Sequence, residues 1–72
     1  MNDKEFLKKI GGNISRIRKT NGMTQADLCA LINMEIPNLS AIENGRQNAS
    51  SLTLKKIADS LEVKVSALLE NL

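Results

Sequence analysis

The sequence predicts an all-α fold, one domain over residues 1–72 built as a bundle of five helices. Three observations predict it. Apolar residues recur at three- and four-residue intervals, the spacing of one helix face. Helix-starting and helix-stopping residues sit between these stripes, with Thr24 and Ser50 as starts and Gly22 and Gly45 as stops. The only aromatic residue, Phe6, argues against an aromatic-rich all-β architecture.

Residues 3–20 read as the first helix, with Phe6, Leu7, Ile10, Ile14 and Ile17 along one stripe. Gly11 and Gly12 interrupt it, each costing roughly 1 kcal/mol relative to alanine. Close approach of another helix at Gly11 accounts for this better than a kink. Thr24 then caps a second helix, and Asp27, three residues on, can reach back to the cap. Leu28, Cys29 and Ile32 form its inner face, so Cys29 is expected in the core and not as a redox sensor. Asn33 suits a left-handed turn, and Met34 can plug the gap beneath it. A third helix starts near Glu35 or Ile36 with Pro37 in its first turn, where the missing N–H costs nothing. Leu39 and Ile42 bury its inner face before Asn44 and Gly45 end it. Ser50 caps a fourth helix, residues 51–61, with Leu54, Ile57, Ala58 and Leu61 inward and Leu52 off the stripe. A last helix spans about 65–71.

The two helices of residues 24–45 are too short to stand alone. Joined by so tight a turn, they form a helix-turn-helix, whose second helix is expected to enter a DNA groove. If Leu39 and Ile42 point inward, Ile36, Pro37, Ser40 and Ala41 point outward, with Asn38 partly turned aside.

The chain resembles the Cro and phage-repressor helix-turn-helix proteins, often called Xre-like. Three runs carry the resemblance: Ile14, Ile17, Arg18, Lys19, Gly22 to Gln25 and Asp27 to Cys29; Leu39 to Gly45; and Asn48 to Ser50, Thr53, Leu54, Lys56 to Ala58, Leu61, Val63, Val65, Leu68 and Leu69. The resemblance runs without a gap from about Ile10 to Leu69. It implies a sequence-specific regulator of transcription on double-stranded DNA, a dimeric repressor at a pseudo-palindromic site. Base contacts would fall on Ile36, Pro37, Asn38 and Ala41. Phosphate contacts would fall on Thr24, Gln25, Asn44, Arg46, Gln47 and Asn48. Arg18 and Glu43 would form a partly buried ion pair, the alternative being two solvated charges. Val65, Leu68, Leu69 and Leu72 would make a homodimer interface, the alternative being that Leu68 and Leu69 close the monomer core.

The base-facing set departs from the usual polar one. Of the four, only Asn38 can make a bidentate bond to adenine, while Ile36, Pro37 and Ala41 can touch a thymine methyl. DNA shape is then expected to carry part of the specificity. The charge pattern is also unusual. Residues 1–22 carry a net +4, residues 46–72 a net +1, and residues 23–45 a net −3 with no cation at all. Phosphate attraction must therefore come from the flanks of the reading unit.

An enzyme is not expected. With no histidine, the commonest general base is missing, and one cysteine without histidine leaves no usual zinc ligand set. No cofactor and no metal are implied. A single cysteine and no apolar leader make the reducing cytoplasm the expected compartment. A second class of function stays open: a protein-interaction module, such as an antitoxin, using the acidic 23–45 face or Leu31 and Leu52 on a partner protein.

Overall fold

Asn2 starts the first helix, its side-chain oxygen accepting the Glu5 N–H at 2.8 Å. From there the computed structural model, which describes residues 1–72, runs through α1 (Asp3–Thr20), α2 (Gln25–Ile32), α3 (Ile36–Glu43), α4 (Ser51–Ser60) and α5 (Val65–Leu68). No residue forms a strand, and no helix is long and apolar enough to cross a membrane. The core is one cluster: Ile10 and Ile14 from α1, Leu28 and Cys29 from α2, Leu39 and Ile42 from α3, Ile57, Ala58 and Leu61 from the α4 end, and Leu68 from α5. Phe6, at the open end of the α1 stripe, stays 39% exposed.

The interruption at Gly11 has a close neighbour. A β-carbon there would lie 2.3 Å from the Ile42 carbonyl oxygen and 2.5 Å from that of Glu43. The end of α3 therefore crosses directly over α1, and only a residue without a side chain permits the crossing. Gly12 meets nothing and faces outward. Gly45 serves the same crossing from the other side, since a β-carbon on it would reach within 2.8 Å of the Lys8 backbone.

Three helices end in the same doubly bonded turn. After α1 the Met23 N–H reaches the Arg18 carbonyl at 3.1 Å and Gly22 reaches Lys19. After α3, Arg46 and Gly45 make the equivalent pair to Ala41 and Ile42, and after α4, Val63 and Glu62 bond Ala58 and Asp59. This motif needs a left-handed residue, which glycine supplies in the first two. In the third it is Glu62, at φ 59°.

Asparagine amides tie the ends of α4 and α5 to α1. Asn21 donates to the Leu61 carbonyl at 2.9 Å, and Asn13 donates to the carbonyls of Leu68 at 3.0 Å and Glu70 at 2.9 Å. These are C-terminal carbonyls that a helix cannot satisfy itself. The second clamp also explains a difference from the sequence expectation. The last helix ends at Leu68 instead of about residue 71, because the following carbonyls bond sideways to Asn13 and the chain turns left-handed at Asn71. Leu68 is fully buried, so it closes the monomer core and cannot lie in a dimer interface as expected. Val65 is half-buried against the same core, while Leu69 and Leu72 remain 38% and 40% exposed.

Glu62 provides a test of the turn after α4. A left-handed conformation costs a residue with a β-carbon roughly 1–2 kcal/mol, so Glu62→Gly should stabilise the fold by about 1 kcal/mol. A urea denaturation midpoint that rises at unchanged slope would register it.

Candidate nucleic-acid interface

Thr24 and Asp27 build the start of α2 as a reciprocal cap. The Thr24 hydroxyl accepts the Asp27 N–H at 3.0 Å, and the Asp27 carboxylate accepts the Thr24 N–H at 2.8 Å. Hydrogen bonding to the carboxylate, from the Thr24 backbone first and its hydroxyl second, holds the Asp27 carboxyl below its ordinary range. At the other end Asn33 takes the left-handed conformation, φ 53°, and Met34 tucks against the core. Glu35 precedes α3 in an extended conformation but gives it no side-chain cap.

The angle between these helices is set by one carboxylate. Glu43, the last residue of α3, accepts from Arg18 Nε at 2.7 Å and from a second guanidinium nitrogen at 3.0 Å, a fork-to-fork ion pair. Gln25, the first residue of α2, donates to the same carboxylate at 3.0 Å. Arg18 also reaches the Met23 carbonyl at 2.8 Å. The two charged side chains are only 7% and 5% exposed, and no buried side-chain nitrogen or oxygen lacks a partner. Burial pushes the Glu43 carboxyl up. The hydrogen bonds from Arg18 and Gln25, with the positive charges of Arg18 and Lys19, outweigh it and hold the group below its usual range. The Glu43 hydrogen bond correspondingly raises Arg18. The expected Arg18–Glu43 pair is thus present. The bond of Gln25, an expected phosphate contact, to Glu43 is one that sequence reasoning missed, like that of Arg18 to the Met23 carbonyl.

With Leu39 and Ile42 held in the core, the expected base-facing residues take the opposite side of α3. Ile36 is 45% exposed, Pro37 and Asn38 are exposed, and Ala41 and Ser40 are half-buried. Asn38 opens toward α4, lining a shallow polar cleft with Glu35, Thr53 and Lys56. Its amide makes no hydrogen bond within the chain, unlike those of Gln25 and Asn44.

The six expected phosphate contacts divide into two groups. Thr24 is committed to the cap, Gln25 to Glu43, and Asn44 to the Ser40 carbonyl at 2.8 Å. Arg46, Gln47 and Asn48 lie exposed on the loop after α3, their side chains outside the internal hydrogen-bond network. The sequence gives donor types but not the internal acceptors that compete for them. Cys29 is buried, its thiol pushed up by burial and by the nearby carboxylates of Glu43 and Glu35, as suits a core residue.

A helix-turn-helix family model matches residues 14–68, which span the two clamped helices, α4, α5 and the C-terminal part of α1. The chain belongs to this helix-turn-helix family, HTH_3. It is 36% identical over 59 residues to an uncharacterized HTH-type transcriptional regulator, y4dJ, of Sinorhizobium fredii, covering 82% of this chain and 77% of that protein. It is 37% identical over 59 residues to the immunity repressor protein of Bacillus phage phi105, covering 82% of this chain but only 41% of the repressor. Among solved structures, an HTH_3 family transcriptional regulator from Vibrio cholerae superposes with a TM-score of 0.88 at 30% identity, over 97% of this chain and 39% of that one. The family assignment and the five-helix fold agree with the expectations drawn from the sequence.

Two measurements test the clamp. Removing either partner of a buried ion pair strands the other charge, so Arg18→Ala or Glu43→Ala should each cost roughly 3–5 kcal/mol. A double-mutant cycle should give a coupling well above the roughly 0–1 kcal/mol of exposed pairs, and coupling near zero would refute the clamp. The second concerns pH. Because the folded carboxyl of Glu43 titrates below its unfolded value of about 4.3, its contribution is present above that pH and is lost as pH falls through the folded value. Acid titration of the native protein followed by circular dichroism should show this loss, and Glu43→Gln should flatten that part of the curve.

Proposed function

We propose that this helix-turn-helix transcriptional regulator acts as a homodimeric repressor that occludes a pseudo-palindromic duplex site. The observation that carries the reading is the division of labour in residues 24–45. Every side chain that fixes the helix angle is bonded inward, while Ile36, Pro37 and Asn38 stand exposed on the first turn of α3. A rigid helix with an uncommitted leading turn is what readout in the major groove requires. Arg46, Gln47 and Asn48 follow on the adjoining loop, where phosphate contacts would fix the register. Thr24, Gln25 and Asn44 would add contacts through backbone amides or the remaining amide proton. The exposed Leu69 and Leu72, with the edge of Val65, offer a two-fold contact, which would space half-sites by about one helical turn, roughly 34 Å. This reading agrees with the repressor and regulator functions carried by the names of its relatives.

A second reading rests on Leu31 and Leu52, which are 63% and 60% exposed. They suit binding to a partner protein, in the manner of an antitoxin. Copurification at fixed stoichiometry with one protein, together with no affinity for duplex DNA, would favour it.

Selection from a random duplex library tests the main reading. The expected result is an enriched two-fold motif whose binding weakens steeply with salt. Arg46→Ala should weaken binding to all sequences alike and reduce the magnitude of the salt slope by about 1, as loss of one phosphate contact does. Monomeric protein in the complex, or no enrichment, would reject the dimeric repressor.

A further inference from the structure

The forward turn of α3 presents an unusual chemistry. Residues 23–45 contain no lysine or arginine, so the unit has no bidentate donor for guanine O6 and N7. Its leading side chain is instead Ile36, 45% exposed, followed by the apolar ring of Pro37 and, one turn later, Ala41. An exposed isoleucine alone is ordinary on a protein surface. This one lies at the first position of the helix that the Glu43 clamp aims outward, beside an asparagine with no partner. Glu35, just before it, bears a carboxylate with no hydrogen bond or ion pair in the chain. A carboxylate only accepts, so it disfavours the acceptor edge of guanine and tolerates the amino groups of adenine and cytosine.

From this we infer that Ile36, backed by Pro37, is a specificity-determining residue that reads the 5-methyl group of a pyrimidine in the major groove. The inference rests on the DNA-binding reading above and deepens it, by naming the chemical group the protein selects. The methyl is the one apolar feature of the major-groove edge. A β-branched side chain in a helix holds one preferred rotamer, so Ile36 loses little freedom on contact. Pro37 sits in the first turn, where its missing N–H removes no helical bond. Asn38 then supplies the polar half of the code, an amide free to pair with adenine N6 and N7. Thymine and 5-methylcytosine both carry the group, and the binding experiment separates them.

The test uses the full chain and the duplex enriched in the selection. Each thymine of a half-site is replaced in turn by deoxyuridine, which deletes only the methyl. At one position the affinity should fall about fourfold per half-site, or about fifteenfold when both halves are changed. Ile36→Ala, at an exposed position, should bind the thymine and deoxyuridine duplexes equally, with helical content unchanged by circular dichroism. If that variant fails to fold, the deoxyuridine series with the unaltered protein still decides. In a second arm the sensitive pair is changed to C·G with and without 5-methylation. Recovery on methylation means that the methyl is read on either base, and no recovery makes thymine its source. Equal binding of thymine and deoxyuridine at every position would overturn the inference while leaving the regulator reading intact. Absence of any enriched motif would overturn both.

Discussion

The carboxylate of Glu43 is the constraint on which the rest of the domain depends. Its hydrogen bonds join three helices, accepting from Arg18 of α1 and Gln25 of α2 while ending α3. Buried charges are costly unless fully paired, and this one is paired by a guanidinium fork and an amide. The crossing it controls is closer than side chains usually allow. Gly11 lets the last carbonyls of α3 rest on the α1 backbone, and Gly45 admits Lys8 on the far side. Packing and electrostatics therefore fix the same angle twice, leaving the outer face of α3 without a structural task.

Much of this was legible in the residues. The α1, α2 and α3 boundaries follow from caps and stops, and the capping box of Thr24 and Asp27 could be read from their spacing. The break at Gly11 pointed to close packing because no turn or cap called for a glycine there. What could not be read was competition for hydrogen bonds. Nothing local distinguishes Asn13, which clamps carbonyls more than fifty positions away, from Asn48, which bonds nothing. The same limit applies to Gln25, Thr24 and Asn44, whose side chains serve the fold before any ligand. Leu68 and Leu69 show the corresponding limit for apolar residues. Adjacent leucines at a helix end have one buried member and one exposed member, and which is which depends on the approach of α1.

The acidity of the helix-turn-helix unit also takes on a physical sense in the folded chain. Of its three acids, Glu43 is neutralised by Arg18, while Asp27, held in the α2 cap by backbone bonds, and the unpaired Glu35 keep their charge. The surface that would approach a duplex is thus less negative than its composition, and Arg46 follows directly behind it.

Ile36, Pro37 and Asn38 neither pack into the core nor bond to any other side chain. The consequence concerns descent with modification. On the proposed reading, substitutions at these positions would alter what the protein recognises while hardly touching its folding free energy, because recognition and stability would reside in different side chains. A lineage built on this scaffold could then drift from one target to another through folded intermediates, its members keeping the clamp while diverging along the leading turn.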